Sequence, residues 1–143
     1  MKLVQHLLDA KDGAIISIAA DASVFDAIKL MADKAVGSLL VMQDGDLKGI
    51  MTEHDYARKV IVKGRSSKST AVSEIMTADV LTADRSDTVN NCMEVMTERK
   101  IRHLPVVEDG EVVGLISIGD LVQAIISDQQ EEIEHLEHYI SGQ

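Results

Sequence analysis

Two short phrases bring a hydroxyl and a carboxylate together at the same spacing: Thr52-x-x-Asp55 and Ser117-x-x-Asp120. In each, a glycine and an apolar run (Gly49-Ile50-Met51, Gly114-Leu115-Ile116) lead into a stretch with helical patterning. One chemistry for that spacing is structural. A hydroxyl at a helix N-cap accepts from a backbone N–H one turn on, and the acidic side chain reaches back to the cap's own N–H. Glutamate or glutamine suits the return bond, and the shorter arm of aspartate is expected to reach it less well. The other chemistry is binding. A carboxylate has two oxygens and accepts two O–H donors at once, with the Ser/Thr hydroxyl close by. The same residues can cap and bind.

The elements that must position these pairs repeat along the chain. Shifted by 65 residues, segments 15–62 and 80–127 align without a gap. Val24 falls on Val89, Met31 on Met96, Leu39 on Leu104, Asp44-Gly45 on Asp109-Gly110, Gly49 on Gly114 and Asp55 on Asp120. Self-similarity of this kind marks a repeat architecture. Each copy opens with a short apolar run read as a strand, Ile15-Ile16-Ser17-Ile18 and Val80-Leu81-Thr82. A helix follows, with apolar spacing of three and four (Val24, Ala27, Ile28, Met31; Val89, Met93, Met96) and Ser23 or Thr88 at the N-cap position. Two further apolar runs joined by Asp-Gly read as a hairpin. A second helix starts near His54 and near Gly119, so each copy is β-α-β-β-α. A unit of about 50 residues buries too little surface alone, so the two copies are expected to share a core.

The boundaries read as an N-terminal helical segment 1–13, repeats 14–64 and 79–128, a linker 65–78 and a C-terminal helical extension 129–143. Within the linker, Ser73-Glu74-Ile75-Met76 looks like one helical turn. In the extension, Ile133, Leu136 and Ile140 form a narrow apolar stripe, with Gly142 as a plausible stop.

Composition narrows the function classes. The chain has 143 residues, 45% of them hydrophobic, and only Phe25, Tyr56 and Tyr139 are aromatic. The core is therefore aliphatic and methionine-rich, and an aromatic platform for single-stranded nucleic acid is excluded. The net charge of −10 disfavours nucleic acid and anionic membrane surfaces. No apolar run reaches the ~18 residues of a membrane helix. The N-terminal stretch reads neither as a secretory signal nor as a transit peptide, which makes a cytoplasmic protein the expectation. The single cysteine, Cys92, cannot form an internal disulfide and sits near an apolar helix face, as a small buried thiol rather than a redox switch.

Taken together, the β-α-β-β-α repeat, the phrase Arg102-His103-Leu104-Pro105-Val106-Val107 and the twice-occurring Gly-apolar-x-Ser/Thr-x-x-Asp resemble the CBS domain family, named for cystathionine β-synthase. The resemblance covers nearly the whole chain, as a stand-alone CBS pair. Asp55-Tyr56-Ala57-Arg58-Lys59-Val60 with Lys63-Gly64-Arg65-Ser66-Ser67 resembles a subgroup of short bacterial and plant-organelle CBS-pair proteins. The resemblance implies an α/β (α+β) fold of two repeats packed with pseudo-twofold symmetry, and a homodimer. It also implies two clefts that take AMP, ADP, ATP, NAD or S-adenosylmethionine as regulatory ligands, with no catalytic cofactor.

By the same resemblance, Asp55 and Asp120, helped by Thr52 and Ser117, would hold the ribose hydroxyls. Ile15, Ile16, Ser17, Val80, Leu81 and Thr82 would line the adenine pocket, although plain strand core is the simpler role for the Ile and Val side chains. Phosphate needs positive charge or free N–H groups. The candidates are Arg102 and His103, then Arg58, Lys59 and Arg65 from a stretch without acids between Tyr56 and Val72. A solvated helix end explains that stretch equally well. The counterpart of Arg102-His103 in the first repeat is the uncharged Gly37-Ser38, so the two clefts are expected to differ in ligand or affinity.

Competing chemistry is thin. His135 and His138 with Glu131 or Glu134 lack a further metal ligand and read as a solvated acidic helix. Gly64-Arg65-Ser66-Ser67-Lys68-Ser69-Thr70 lacks the second glycine and the preceding strand of a P-loop. The expectation is a non-enzymatic regulatory module that senses an adenine nucleotide and signals to a client protein. The competing reading is a dimeric interaction scaffold with unused clefts.

Overall fold

A computed structural model of the chain describes residues 2–10 and 15–141. Two compact units emerge, one spanning 14–81 and the other combining 1–13 with 82–143. The chain opens with α1 (Val4–Ala10), whose packing partners come from the far end of the sequence.

In the first unit β1 (Ser17–Ala19) leads to α2 (Val24–Lys34), then to the hairpin β2 (Ser38–Gln43) and β3 (Asp46–Thr52). A short α3 (Glu53–Tyr56) follows and runs into a π-helical turn at Ala57–Ile61. β1 pairs parallel to β2 with Ser17 opposite Leu40, and β2 pairs antiparallel to β3 with Leu40 opposite Ile50. Ser23 caps α2, its hydroxyl accepting from the Asp26 N–H at 3.1 Å. The tight turn Asp44-Gly45 has φ of 53° and 82°, the doubly positive geometry for which the Asp-Gly pair is suited.

The second unit repeats the plan with α4 (Val89–Arg99), β4 (His103–Glu108), β5 (Glu111–Ser117) and α5 (Ile118–Ile140). Thr88 caps α4 and Asp109-Gly110 makes the turn, with φ of 51° and 79°. The expected stop at Gly142 lies outside the described residues.

One expected element is missing. Val80-Leu81-Thr82 is not a strand; a single parallel bridge, Ala83 to Val106, takes its place. The cause is Pro105. In the first repeat the Leu40 N–H donates to the Ile16 carbonyl at 3.2 Å. Pro105 stands at the matching position and has no N–H, so Leu81 loses that bond. The chain joins the sheet two residues later, where the Val107 N–H donates to the Ala83 carbonyl at 2.9 Å.

Residues 70–76 do more than link. They bond to the start of α2, Val24 N–H to Thr70 carbonyl and Val72 N–H to Ala22 carbonyl, both at 2.8 Å, and bury Val72 and Ile75 completely. Residues 2–8 do the same for α4: Val89 N–H donates to Lys2 and Val4 N–H to Asp87, at 3.1 and 2.9 Å, and Val4 and Leu7 are buried. The likeness extends to the caps. Glu74 accepts from the Ala71 N–H at 2.6 Å, and His6 Nδ1 from the Leu3 N–H at 3.0 Å. Each repeat is thus closed by a strap, the linker over the first and the N-terminal segment over the second. The straps cross at glycines. A Cβ on Gly49 would lie 2.5 Å from the Thr77 carbonyl oxygen, and one on Gly114 would strike the Leu8 side chain.

Candidate functional site

The hairpin ends fix both hydroxyl–carboxylate pairs. Thr52 is the last residue of β3 and Ser117 the last of β5, each in extended conformation as the N-cap of the next helix. The Asp55 N–H donates to Thr52 Oγ1 at 3.2 Å, and the Thr52 N–H donates to Asp55 Oδ2 at 2.9 Å. The second pair matches: Asp120 N–H to Ser117 Oγ at 3.2 Å, and Ser117 N–H to Asp120 Oδ2 at 2.8 Å. The expectation that aspartate would reach back poorly is corrected, since both capping boxes are closed. Each closed box sets a carboxylate at a helix start, where backbone N–H groups favour negative charge.

Around the first pair the polar groups are densely connected. Thr52 Oγ1 donates to Asp55 Oδ2 at 3.1 Å, and Asp55 Oδ1 lies 3.2 Å from Lys59 Nζ. Lys59 also donates to the Ile75 carbonyl of the strap at 2.8 Å. Asp55 is 9% exposed, so this carboxylate is buried and matched by an ammonium. The sequence reading offered Lys59 to phosphate and did not pair it with Asp55. The available signal was the spacing of four residues, which puts both on one helix face. Glu53 and Tyr56, from the same short helix, line an open pocket of about 480 Å³ with Met31, Val36 and Gly37, which sequence reasoning had not marked.

Beside the second pair stand Arg102, just before β4, and His103, its first residue. His103 is the register partner of Ser117, and the Ile118 N–H donates to the Arg102 carbonyl at 2.8 Å. Arg102 is exposed, while His103 and Asp120 are half-buried. The position four residues beyond Asp120 is Ala124, a core residue without charge.

The other candidates scatter. Ile16 packs on the first core, Ile15 is 41% exposed and Ser17 is exposed. Leu81 and Thr82 are exposed and Val80 half-buried, in irregular chain. Arg58 is exposed. Arg65 Nη2 lies 2.6 Å from Glu74 Oε1, which engages it with the strap. Glu74 is held below its usual carboxylate range, first by the Ala71 N–H and then by Arg65. Cys92 is buried, and desolvation, with the Asp87 charge behind it, pushes its thiol up to about 11. Among the described residues no cluster of three metal-ligating side chains is present, and no helix is long and apolar enough to cross a membrane.

Known proteins share this fold. A family model for the CBS domain matches residues 12–62 and 72–127. The CBS domain-containing protein CBSX3, mitochondrial, of Arabidopsis thaliana is 43% identical over 136 residues, covering 92% of this chain and 66% of its own length. A solved protein with CBS domains from Burkholderia ambifaria is 50% identical, with a TM-score of 0.87, over 90% of this chain and 96% of that one. The CBS domain pair of MJ0100, crystallised with 5′-methylthioadenosine and S-adenosylmethionine, is 26% identical, with a TM-score of 0.78, over 90% and 98%. A hexameric CBS-CP12 protein from bloom-forming cyanobacteria is 27% identical, with a TM-score of 0.77, over 85% and 70%.

Proposed function

The chain belongs to the CBS domain family, and on that footing we propose that it is a regulatory module. It binds an adenine nucleotide (AMP, ATP or NAD) at its capped aspartates and passes their occupancy to a client protein. The observation that carries the reading is the duplicated cap. Thr52 with Asp55 and Ser117 with Asp120 each hold a carboxylate beside a hydroxyl at a helix start. A carboxylate offers about four lone-pair sites on two oxygens, and the box draws on one of them, which is the chemistry that suits the vicinal hydroxyls of a ribose. The adenosine compounds named for the MJ0100 pair support that ligand class. Arg102 and His103 would face the phosphates of the second site. Signalling requires that the ligand bind one arrangement of the protein more tightly than another. The proposal includes a cytoplasmic homodimer that turns over no substrate and binds neither nucleic acid nor membrane.

Calorimetric titration with AMP, ATP, NAD, NADH and S-adenosylmethionine tests it, on the wild type and on Asp55→Asn and Asp120→Asn. Asparagine keeps an acceptor for the cap, so the fold survives while the charge is lost. Micromolar binding of one ligand, weakened at least tenfold in one variant, is expected. Absence of heat and of thermal shift with every ligand overturns the reading. It would leave a docking scaffold with unused sites, which the exposed stripe on α5 favours as the second reading.

A further inference from the structure

The last turns of α5 have no place in the core. From Gln129 to Ser141 every residue is exposed, and helix without packing is marginal in water. Four large apolar side chains lie there: Ile133 at 54%, Leu136 at 60%, Tyr139 at 84% and Ile140 at 81% exposure. Three of them continue a line that begins where α5 is still packed, at Val122 and Ile126, each 44% exposed. The face α5 gives its own core carries Leu121 and Ala124, more than a third of a turn away round the helix. The exposed line is therefore a second apolar face.

Its spacing is a heptad. Ile126, Ile133 and Ile140 fall at one repeating position and Val122, Gln129 and Leu136 at the other, alternating by four and three. Isoleucine at a with leucine at d is the choice that favours two parallel strands, and a single polar residue in the seam sets register. The charges agree. Asp128, Glu131 and Glu134 sit at the outer positions c, f and b, while the flanking positions hold Gln123, Ile125, Gln130 and Tyr139 besides Glu132 and Glu137. A seam with mostly neutral flanks and its acids turned to solvent suits a second copy of itself better than a basic partner.

We infer that α5 pairs with α5 of a second copy as a parallel, in-register two-stranded coiled coil from Val122 to Ile140. Gln129 meets its own counterpart in the seam. The one unfavourable contact is Glu132 of one copy against Glu137 of the other, at the g and e′ positions. The inference rests on the homodimer of the proposed function and gives it an interface, but it uses no residue of the capped aspartate sites, so loss of the dimer and loss of nucleotide binding are separate results.

Sedimentation equilibrium of the full chain without nucleotide is the test. A dimer is expected, with dissociation at least tenfold weaker for Ile133→Asp and unchanged core melting. Glu137→Lys should tighten the dimer several-fold, because the new cation faces Glu132 across a parallel seam. In a Cys92→Ala background, Leu136→Cys should cross-link to its own counterpart on mild oxidation. A monomer at all concentrations overturns the inference. So does a dimer indifferent to Ile133→Asp, or one in which Leu136→Cys stays reduced, as an antiparallel pair would leave it.

Discussion

In the first repeat the capped aspartate is buried, with Lys59 Nζ 3.2 Å from its Oδ1; in the second the matching aspartate is half-buried and the position of Lys59 is held by Ala124. Before its cap the second repeat has Arg102 and His103, where the first has Gly37 and Ser38. Identical capping boxes therefore sit in different electrostatic settings. Lys59 also reaches the Ile75 carbonyl, so the first carboxylate is connected through one ammonium to its strap. The strap of the second repeat, by contrast, meets its sheet through the Leu8 side chain over Gly114. Duplication kept the backbone devices and let the side chains around them diverge, which is how one fold presents two unlike sites.

The straps give the largest contrast. Gly49→Ala would press a methyl against the Thr77 carbonyl, which is tied to Ile50 by a pair of backbone hydrogen bonds at 3.0 and 2.9 Å and cannot retreat without losing them. A loss of about 3 kcal/mol in urea unfolding is expected, at the upper end of the cost of overpacking. Gly114→Ala meets only the end of a leucine, which can turn aside, and should cost about 1 kcal/mol. Leu8→Ala should relieve the Gly114→Ala clash, and no side-chain change should rescue Gly49→Ala. Equal losses at the two glycines would show that the straps yield alike.

These straps also mark the limit of what the sequence discloses. The hairpins, caps and helix faces are legible because each is written in local residue types: Asp-Gly turns, Ser23 and Thr88 caps, apolar spacing. The likeness of residues 2–8 to 70–76 is not, because it lies at an offset of 68 rather than 65 and matches polar residues loosely, His6 against Glu74. The lost strand at Val80–Thr82 was legible only by asking what Pro105 fails to donate across the sheet. At the site, the hydroxyl–carboxylate pairs were visible as a motif. The pairing of Asp55 with Lys59 is legible in their spacing of four, but its tie to the Ile75 carbonyl depends on where a distant strap is docked, which no local pattern states.

A smaller contrast lies in the two cores, where Ala27 of the first repeat is matched by Cys92 of the second, both buried. Burial, then Asp87, raises the thiol from 9.0 to about 11, so the folded chain keeps a proton that the unfolded chain releases first. Stability from this group is full below pH 9 and drains away as pH rises toward 11, by up to about 2 kcal/mol. Cys92→Ala should abolish that alkaline loss while changing little at pH 7. Urea midpoints of the two proteins at pH 7 and pH 10.5 measure it. Midpoints that fall in parallel would mean the thiol ionises as freely in the folded chain as in the unfolded one.

The finest test concerns the divergence of the sites themselves. Lys59→Met removes a half-exposed ion pair and one donor to Ile75, a stability cost of about 1 kcal/mol or less. Its effect on binding separates two roles. With its ammonium between Asp55 and the strap, Lys59 competes with a ribose for the carboxylate, so removing it should tighten adenosine several-fold at the first site. The second site should respond in the opposite sense: Arg102→Ala should weaken AMP and leave adenosine unchanged, because only the phosphate is lost to it. Titrating adenosine and AMP in Asp120→Asn and Asp55→Asn backgrounds isolates each site. If Lys59→Met weakens AMP and spares adenosine, Lys59 swings from Asp55 to the phosphate on binding. The two repeats would then reach the same ligand chemistry from opposite sides of the cap.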